Sequence, residues 1–209
     1  MYFGLDLGQA QDYTALSIVQ KVKPKDSELI QYHTRHVERF VLGTSYPEII
    51  DKLQERINAV NIISYMVLPD ATGVGRPVVD LMRKRGIRTV PIMITGGEKE
   101  LFDPELGGWK VPKRVLVSNL QVLLQNGQLK FAKGMMHADI LLEELMNFKI
   151  KVTSHANDTY EAWREGDHDD LVLSLAMAVW YAEKFGVTEG IKPRPNIPNP
   201  WLSKVEEIL

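Results

Sequence analysis

From about His168 to Lys184 the chain runs for the length of a helix with apolar side chains on nearly every side. A helix without a polar face must be buried, so other elements have to cover it. Acids crowd its start: Asp167, Asp169 and Asp170, with His168 among them. A carboxylate beside an apolar element costs roughly several kcal/mol unless it is paired or bound to a metal. The rest of the chain must therefore supply both a cover for this helix and a reason for its acids.

The cover is legible in the patterning. Tyr2–Leu7 and Thr14–Val22 read as two strands, with Gln9–Tyr13 as the turn of an antiparallel hairpin, and Leu29–Leu42 completes a three-strand meander. Ser45 and Glu48 stand in capping-box spacing around Pro47, and Ile49, Ile50, Leu53, Ile57 and Val60 form one helical stripe. Ile62–Leu68 is a continuous apolar run, the pattern of a strand covered on both faces, and it ends at Asp70. A helix follows from Gly75 or Arg76 to Arg85, stopped by Gly86, and Thr89–Ile94 returns as a strand. A loop rich in glycine and charge then extends to about Trp109. Pro112 opens a helix through Gln125 that Gly127 stops, Leu129–Phe131 is a short strand, His137–Asn147 is a helix, and Phe148–Thr153 reads as a strand or part of a hairpin. The order predicts an α/β domain, a mixed central sheet with an antiparallel N-terminal meander and helices on both faces. Residues 1–186 form that domain. Beyond it, 187–209 read as a tail, with prolines at 193, 195, 198 and 200.

Composition narrows the function classes. The 209 residues suit one domain, and 44% hydrophobic with 25% charged residues is globular usage. Cysteine is absent, which excludes disulfides and thiolate metal sites and points to a reducing compartment. No signal peptide or membrane span is visible, so a soluble intracellular protein is expected. The net charge of −2 supplies no global attraction for nucleic acid, so any such partner must meet locally gathered basic residues. Candidates are Arg76, Arg83, Lys84, Arg85 and Arg88 around one helix, and Lys110, Lys113 and Arg114 around the start of another. The bland reading of each is a solvated helix face.

Asp6 interrupts the first strand and Asp70 ends the central one, so acids distant in sequence stand at the edges of apolar elements in three places. Each has an ordinary alternative. Asp6 suits a turn, Asp70 an N-cap, and the triplet a first helical turn favoured by the macrodipole. Together they suit hard cations, which take oxygen ligands. Two such ions about 3.5–4 Å apart hold the attacking and leaving oxygens of a phosphodiester displacement. His168 is a candidate for protonating a leaving oxygen or binding metal, against a plain role as polar surface.

Four strings, "FGLDLGQAQDYTALSIV", "YMVLPDATGVGRPVVDLM", "WKVPKRVLVSNLQVLLQNGQLKF" and "REGDHDDLVLSLAMAVW", resemble in this order the nuclease segments of phage terminase large subunits. The resemblance spans nearly the whole chain to about Phe185. It implies a ribonuclease H-like fold in which acids from the first strand, the fourth strand and the final helix bind two divalent ions, Mg2+ or Mn2+. On this chain those acids are Asp6, Asp70, Asp169 and Asp170, with Asp170 ranked first in its pair and Asp167 and His168 as accessory candidates. It also implies cleavage of double-stranded DNA during viral genome packaging, in the cytoplasm of an infected or lysogenic host cell. The implied partners are a packaging ATPase domain, a terminase small subunit and a portal, the last through the tail. A phosphate loop of the form G-x-x-x-x-G-K-[ST] is missing, since "ATGVGRP" lacks the lysine. That pattern suits an isolated nuclease domain or a stand-alone relative.

Three rival readings stay open here. A Holliday-junction resolvase of the same fold also begins with an acid on its first strand. "GLDLGQAQDYTAL" is similar to the phosphate-binding hairpin of actin-like ATPases and sugar kinases, although those need two lobes and 209 residues are too few. A non-catalytic DNA-binding domain would bind DNA without needing a metal.

Overall fold

The structure, a computed structural model, describes residues 1–8, 12–59, 64–73, 75–154 and 169–186. Strands β1 (Tyr2–Asp6), β2 (Ala15–Val22) and β3 (Gln31–Arg39) form the expected antiparallel meander, with Asp6 opposite Ala15 and Ala15 opposite Arg39. Helix α1 (Tyr46–Ala59) leads to β4 (Met66–Pro69), which joins β1 in parallel. Helix α2 (Gly75–Lys84) follows, then β5 (Ile92–Thr95), β6 (Leu101–Asp103) and β7 (Gly108–Pro112). Helix α3 (Lys113–Gln125), β8 (Leu129–Phe131), α4 (Ala138–Ser154) and α5 (Asp170–Phe185) complete the described chain. The main sheet has the order β4-β1-β2-β3-β8, and the smaller one β5-β7-β6. Parallel bridges Val67–Thr89 and Asp70–Ile92 tie β4 to the segment entering β5.

Strand alternation divides the core. Phe3, Leu5, Leu16 and Ile18 point to one face and pack with Ile49, Ile50, Leu53 and Ile57 of α1 and Val78 and Met82 of α2. Tyr2, Ala15, Val19 and Tyr32 point to the other, where α3 and α5 lie. Helices therefore cover both faces, and α5 is buried along nearly its whole length. It can lie so close because β1 presents Gly4. A Cβ there would stand 1.8 Å from the Ser174 carbonyl oxygen. Opposite Gly4 in register, Ser17 meets Ser174 Oγ at 2.7 Å. Ser174 donates its only hydroxyl proton to the Leu171 carbonyl, at 2.9 Å, so Ser17 is the donor of the pair.

Two expected elements differ. The stretch expected as loop up to Trp109 contains β6 and β7, which pair antiparallel with Phe102 opposite Trp109. Three- and five-residue strands carry too short a pattern to stand out against glycine and charge, and Gly107, at φ 62°, makes the turn between them. Phe148–Thr153 is helical, the continuation of α4. Once a helix is nucleated, each added residue gains a hydrogen bond, which overrides the local preference of β-branched residues. The expected turn residues Gln9–Gln11, the stripe residue Val60, the strand start Ile62–Ile63, the acids' neighbours Asp167 and His168, and the tail from 187 lie outside the described residues. Among the described residues no helix is long and apolar enough to cross a membrane.

Candidate nuclease site

Parity on β1 puts Asp6 on the same face as Gly4, under α5. Gly4 touches Ser174, and two residues along a strand advance about 6.6 Å while four residues along a helix advance about 6 Å. Because α5 runs back along β1, that step carries Gly4 and Ser174 to Asp6 and Asp170. The end of β1 thus meets the start of α5. Neighbouring β4, parallel to β1, ends at the same edge, and the Asp70 amide donates to the Leu5 carbonyl at 2.8 Å. Asp6, Asp70, Asp169 and Asp170 are consequently brought together. Their charges are felt at Asp6, whose carboxyl is pushed well above its ordinary value by burial first, then by Asp70, Asp170 and Asp169, against an opposing pull from Lys113.

Each acid has a different set of neighbours. Asp70 accepts the Thr72 amide at 2.8 Å and the Thr72 hydroxyl, and its carboxyl is raised by burial against these hydrogen bonds. Thr72 Oγ1 in turn accepts the Ile94 amide at 2.8 Å, locking the turn after β4 to β5. Asp169 is the N-cap residue of α5, and its Oδ2 takes Lys113 Nζ at 2.6 Å. Lys113 is delivered by the start of α3, directly after Pro112 turns the chain out of β7. Asp170 Oδ2 lies 3.4 Å from Arg39 Nη2, at the end of β3. Directly paired residues share a face, so the row Asp6–Ala15–Arg39 carries the guanidinium toward the acids across a small alanine.

Nothing in the sequence patterning marks Arg39 or Glu144, and Thr72 stands out only by its spacing from Asp70. Glu144, on α4, pairs with Arg39 and accepts the Val172 amide at 3.0 Å. Burial pushes its carboxyl up to about 7 against the pull of that amide and of Arg39. Thr72 could have been found from the Asp-x-Thr turn spacing. Glu144 carries no such signal, since one glutamate in a charged helix reads as surface until the packing partner is known. Of the expected basic residues, Lys113 reaches the acids. Arg76 pairs with Glu105 at 3.2 Å, Lys110 with Asp103 at 2.8 Å, Arg114 with Glu98 at 3.5 Å and Arg85 with Asp51, while Arg83 reaches the Leu106 carbonyl at 3.5 Å. Lys84 and Arg88 are exposed.

The family described as Terminase RNaseH-like domain matches residues 3–182, from β1 through all but the last turn of α5. The chain belongs to this family. Among solved structures, the human cytomegalovirus terminase nuclease domain is similar in fold, with a TM-score of 0.56 and 14% identity over 88% of this chain and 83% of that one. No curated protein matches this chain in sequence. The fold is ribonuclease H-like, as the resemblance implied.

Proposed function

We propose that this terminase domain is a divalent-metal-dependent endonuclease that cuts double-stranded DNA during viral genome packaging, with Asp6, Asp70, Asp169 and Asp170 as its metal ligands. The observation that carries the proposal is the buried carboxyl of Asp6, surrounded by three further carboxylates on elements that converge from distant parts of the chain. Such an arrangement is unfavourable unless protons or cations offset it. The donor set is all oxygen, which suits Mg2+ or Mn2+ and lacks the Cys or His ligands common at zinc sites. Among the described residues no three His, Asp or Glu side chains are already arranged to hold an ion. Thr72 donates to Asp70, and Lys113 pairs with Asp169. Bound as a pair, the ions would activate the attacking water and stabilise the leaving oxygen of an in-line displacement.

The chain's own groups orient and attract. Lys113 holds Asp169 and stands where a phosphate could compete for its ammonium. Arg76, Arg83, Lys84, Arg85, Lys110 and Arg114 form the candidate DNA track, and Arg76, Arg85 and Arg114 would exchange exposed carboxylate partners for phosphates on binding. His168 and Asp167, which precede Asp169 in the sequence, remain accessory candidates. On this reading its partners would be a packaging ATPase domain, a terminase small subunit and a portal, and its setting the cytoplasm of the host cell, as the resemblance to phage terminase large subunits implies.

Supercoiled plasmid and linear duplex should be nicked and cut with little sequence preference, only when magnesium or manganese is added. Asp6→Asn and Asp70→Asn should each abolish the reaction. Cleavage that persists in excess chelator, or wild-type rates in either variant, would defeat the proposal. Strong preference for a four-way junction would instead favour a resolvase.

A further inference from the structure

An aspartate at an N-cap usually accepts an amide from the first turn of its own helix. Asp169 makes no such bond, and its carboxylate is turned to Lys113 instead. The first-turn amide of Val172 is satisfied from another helix, by Glu144 Oε2 at 3.0 Å. The other oxygen of Glu144 holds Arg39, whose Nη2 lies 3.4 Å from Asp170 Oδ2. Arg39 is fixed from further directions. Its guanidinium sits 4.7 Å from the centre of the Tyr13 ring, and its backbone amide donates to His137 Nδ1 at 3.2 Å. Both partners are shielded from solvent, the Arg39 side chain 13% and that of Glu144 6% exposed. A shielded, charge-assisted contact held at several points keeps its geometry.

We propose that Glu144 and Arg39 are positioning residues of the nuclease site, Glu144 capping α5 from α4 so that the Asp169 carboxylate is left for the site, and Arg39 holding the carboxylate of Asp170. This rests on the metal-dependent reading above. Neither side chain needs to touch DNA or metal. They act by keeping two neighbouring carboxylates in a conformation that an isolated helix start would not favour, as outer-shell groups do around metal ligands.

The experiment is a manganese titration of the full chain, read both by plasmid nicking and by the manganese-induced rise in melting temperature. Glu144→Gln retains an acceptor for the Val172 amide but loses the charge that holds Arg39, so its fold should survive. Arg39→Met removes the guanidinium, and Arg39→Lys restores charge without the fork. Glu144→Gln and Arg39→Met should raise the half-saturating manganese concentration by about 10- to 100-fold, the range typical of such outer groups. Arg39→Lys should fall between them and wild type, and the KM for DNA should stay unchanged. A purely structural role would lower the amount of active protein without moving the manganese midpoint. Wild-type midpoints in folded Glu144→Gln and Arg39→Met would therefore overturn the proposal. Asp6→Asn separates the two levels. If it loses the manganese response while the positioning variants keep theirs, only this inference fails, and if it responds like wild type, the metal reading fails with it.

Discussion

Asp6 occupies a position where ionisation is opposed from two sides, by the loss of water and by three neighbouring carboxylates. A carboxyl raised on folding binds its proton more tightly in the folded chain than in the unfolded one. Its contribution to stability is therefore full below the unfolded value of 3.8 and is lost as the pH rises through the folded value. Glu144 has the same sign, losing its contribution between 4.5 and about 7. Glu38, held down to about 2 by His36 and Arg56 against the cost of burial, has the opposite sign and loses stabilisation as the pH falls below 4.5. In metal-free protein, Asp6→Asn should melt at or above the wild-type temperature. The difference should widen from pH 5 to pH 8, by on the order of a few degrees for a chain of this size. Melting curves at the two pH values check this. A mutant less stable than wild type at pH 8 would mean that Asp6 is held by a stabilising partner.

At the scale of elements, the contact between β1 and α5 sets the spacing of the acids. The contact depends on Gly4, where a side chain would collide with the Ser174 backbone and stand 3.2 Å from Ala178 Cβ. Gly4→Ala must push the helix away from the strand. The collision is with backbone, so rotamer changes cannot relieve it, and the cost should be at least about 3 kcal/mol, the upper part of the range for overpacked cores. Denaturant unfolding measures that cost. A loss below about 1 kcal/mol would show that α5 shifts easily and that its register on β1 does not fix the site. The small sheet is seated on the same helix at its other end. Trp109 of β7 packs edge-on against Trp180 at 5.9 Å between ring centres, and Trp180 Nε1 donates to Glu100 at 2.9 Å. One helix thus bears the acids at its start and anchors at its finish the sheet from which Pro112 leads to Lys113.

For the whole molecule, the last described helix ends at Phe185, and we propose that the domain ends near Gly186, since the sequence beyond it has the composition of a tail. By sequence alone, four prolines between 193 and 200 are expected to deny it regular hydrogen bonding, with Trp201 and Leu202 as a proposed apolar anchor. Truncation after Thr188 should leave both the melting temperature and the metal-dependent nuclease rate unchanged, and should weaken binding to the viral portal. A loss of several degrees, or of nuclease activity with portal binding intact, would make the segment part of the folded domain.

Taken by itself, the sequence determined the elements whose pattern is long or strongly periodic: the N-terminal meander, the stripe of α1, the start of α3 at Pro112 and the burial of α5. It also marked Asp6, Asp70, Asp169 and Asp170, because a carboxylate at the edge of an apolar run is conspicuous without knowledge of the fold. Only the tertiary structure decided that Lys113, among the basic residues the sequence singles out, reaches those acids, and that Arg39 and Glu144 stand beside them. The short strands β6 and β7 were hidden for a related reason, since three to five residues exist as strands only through their partners. Periodicity records which face of an element is buried, whereas a pair such as Arg39 and Glu144, 105 residues apart, is created by strand register and helix packing.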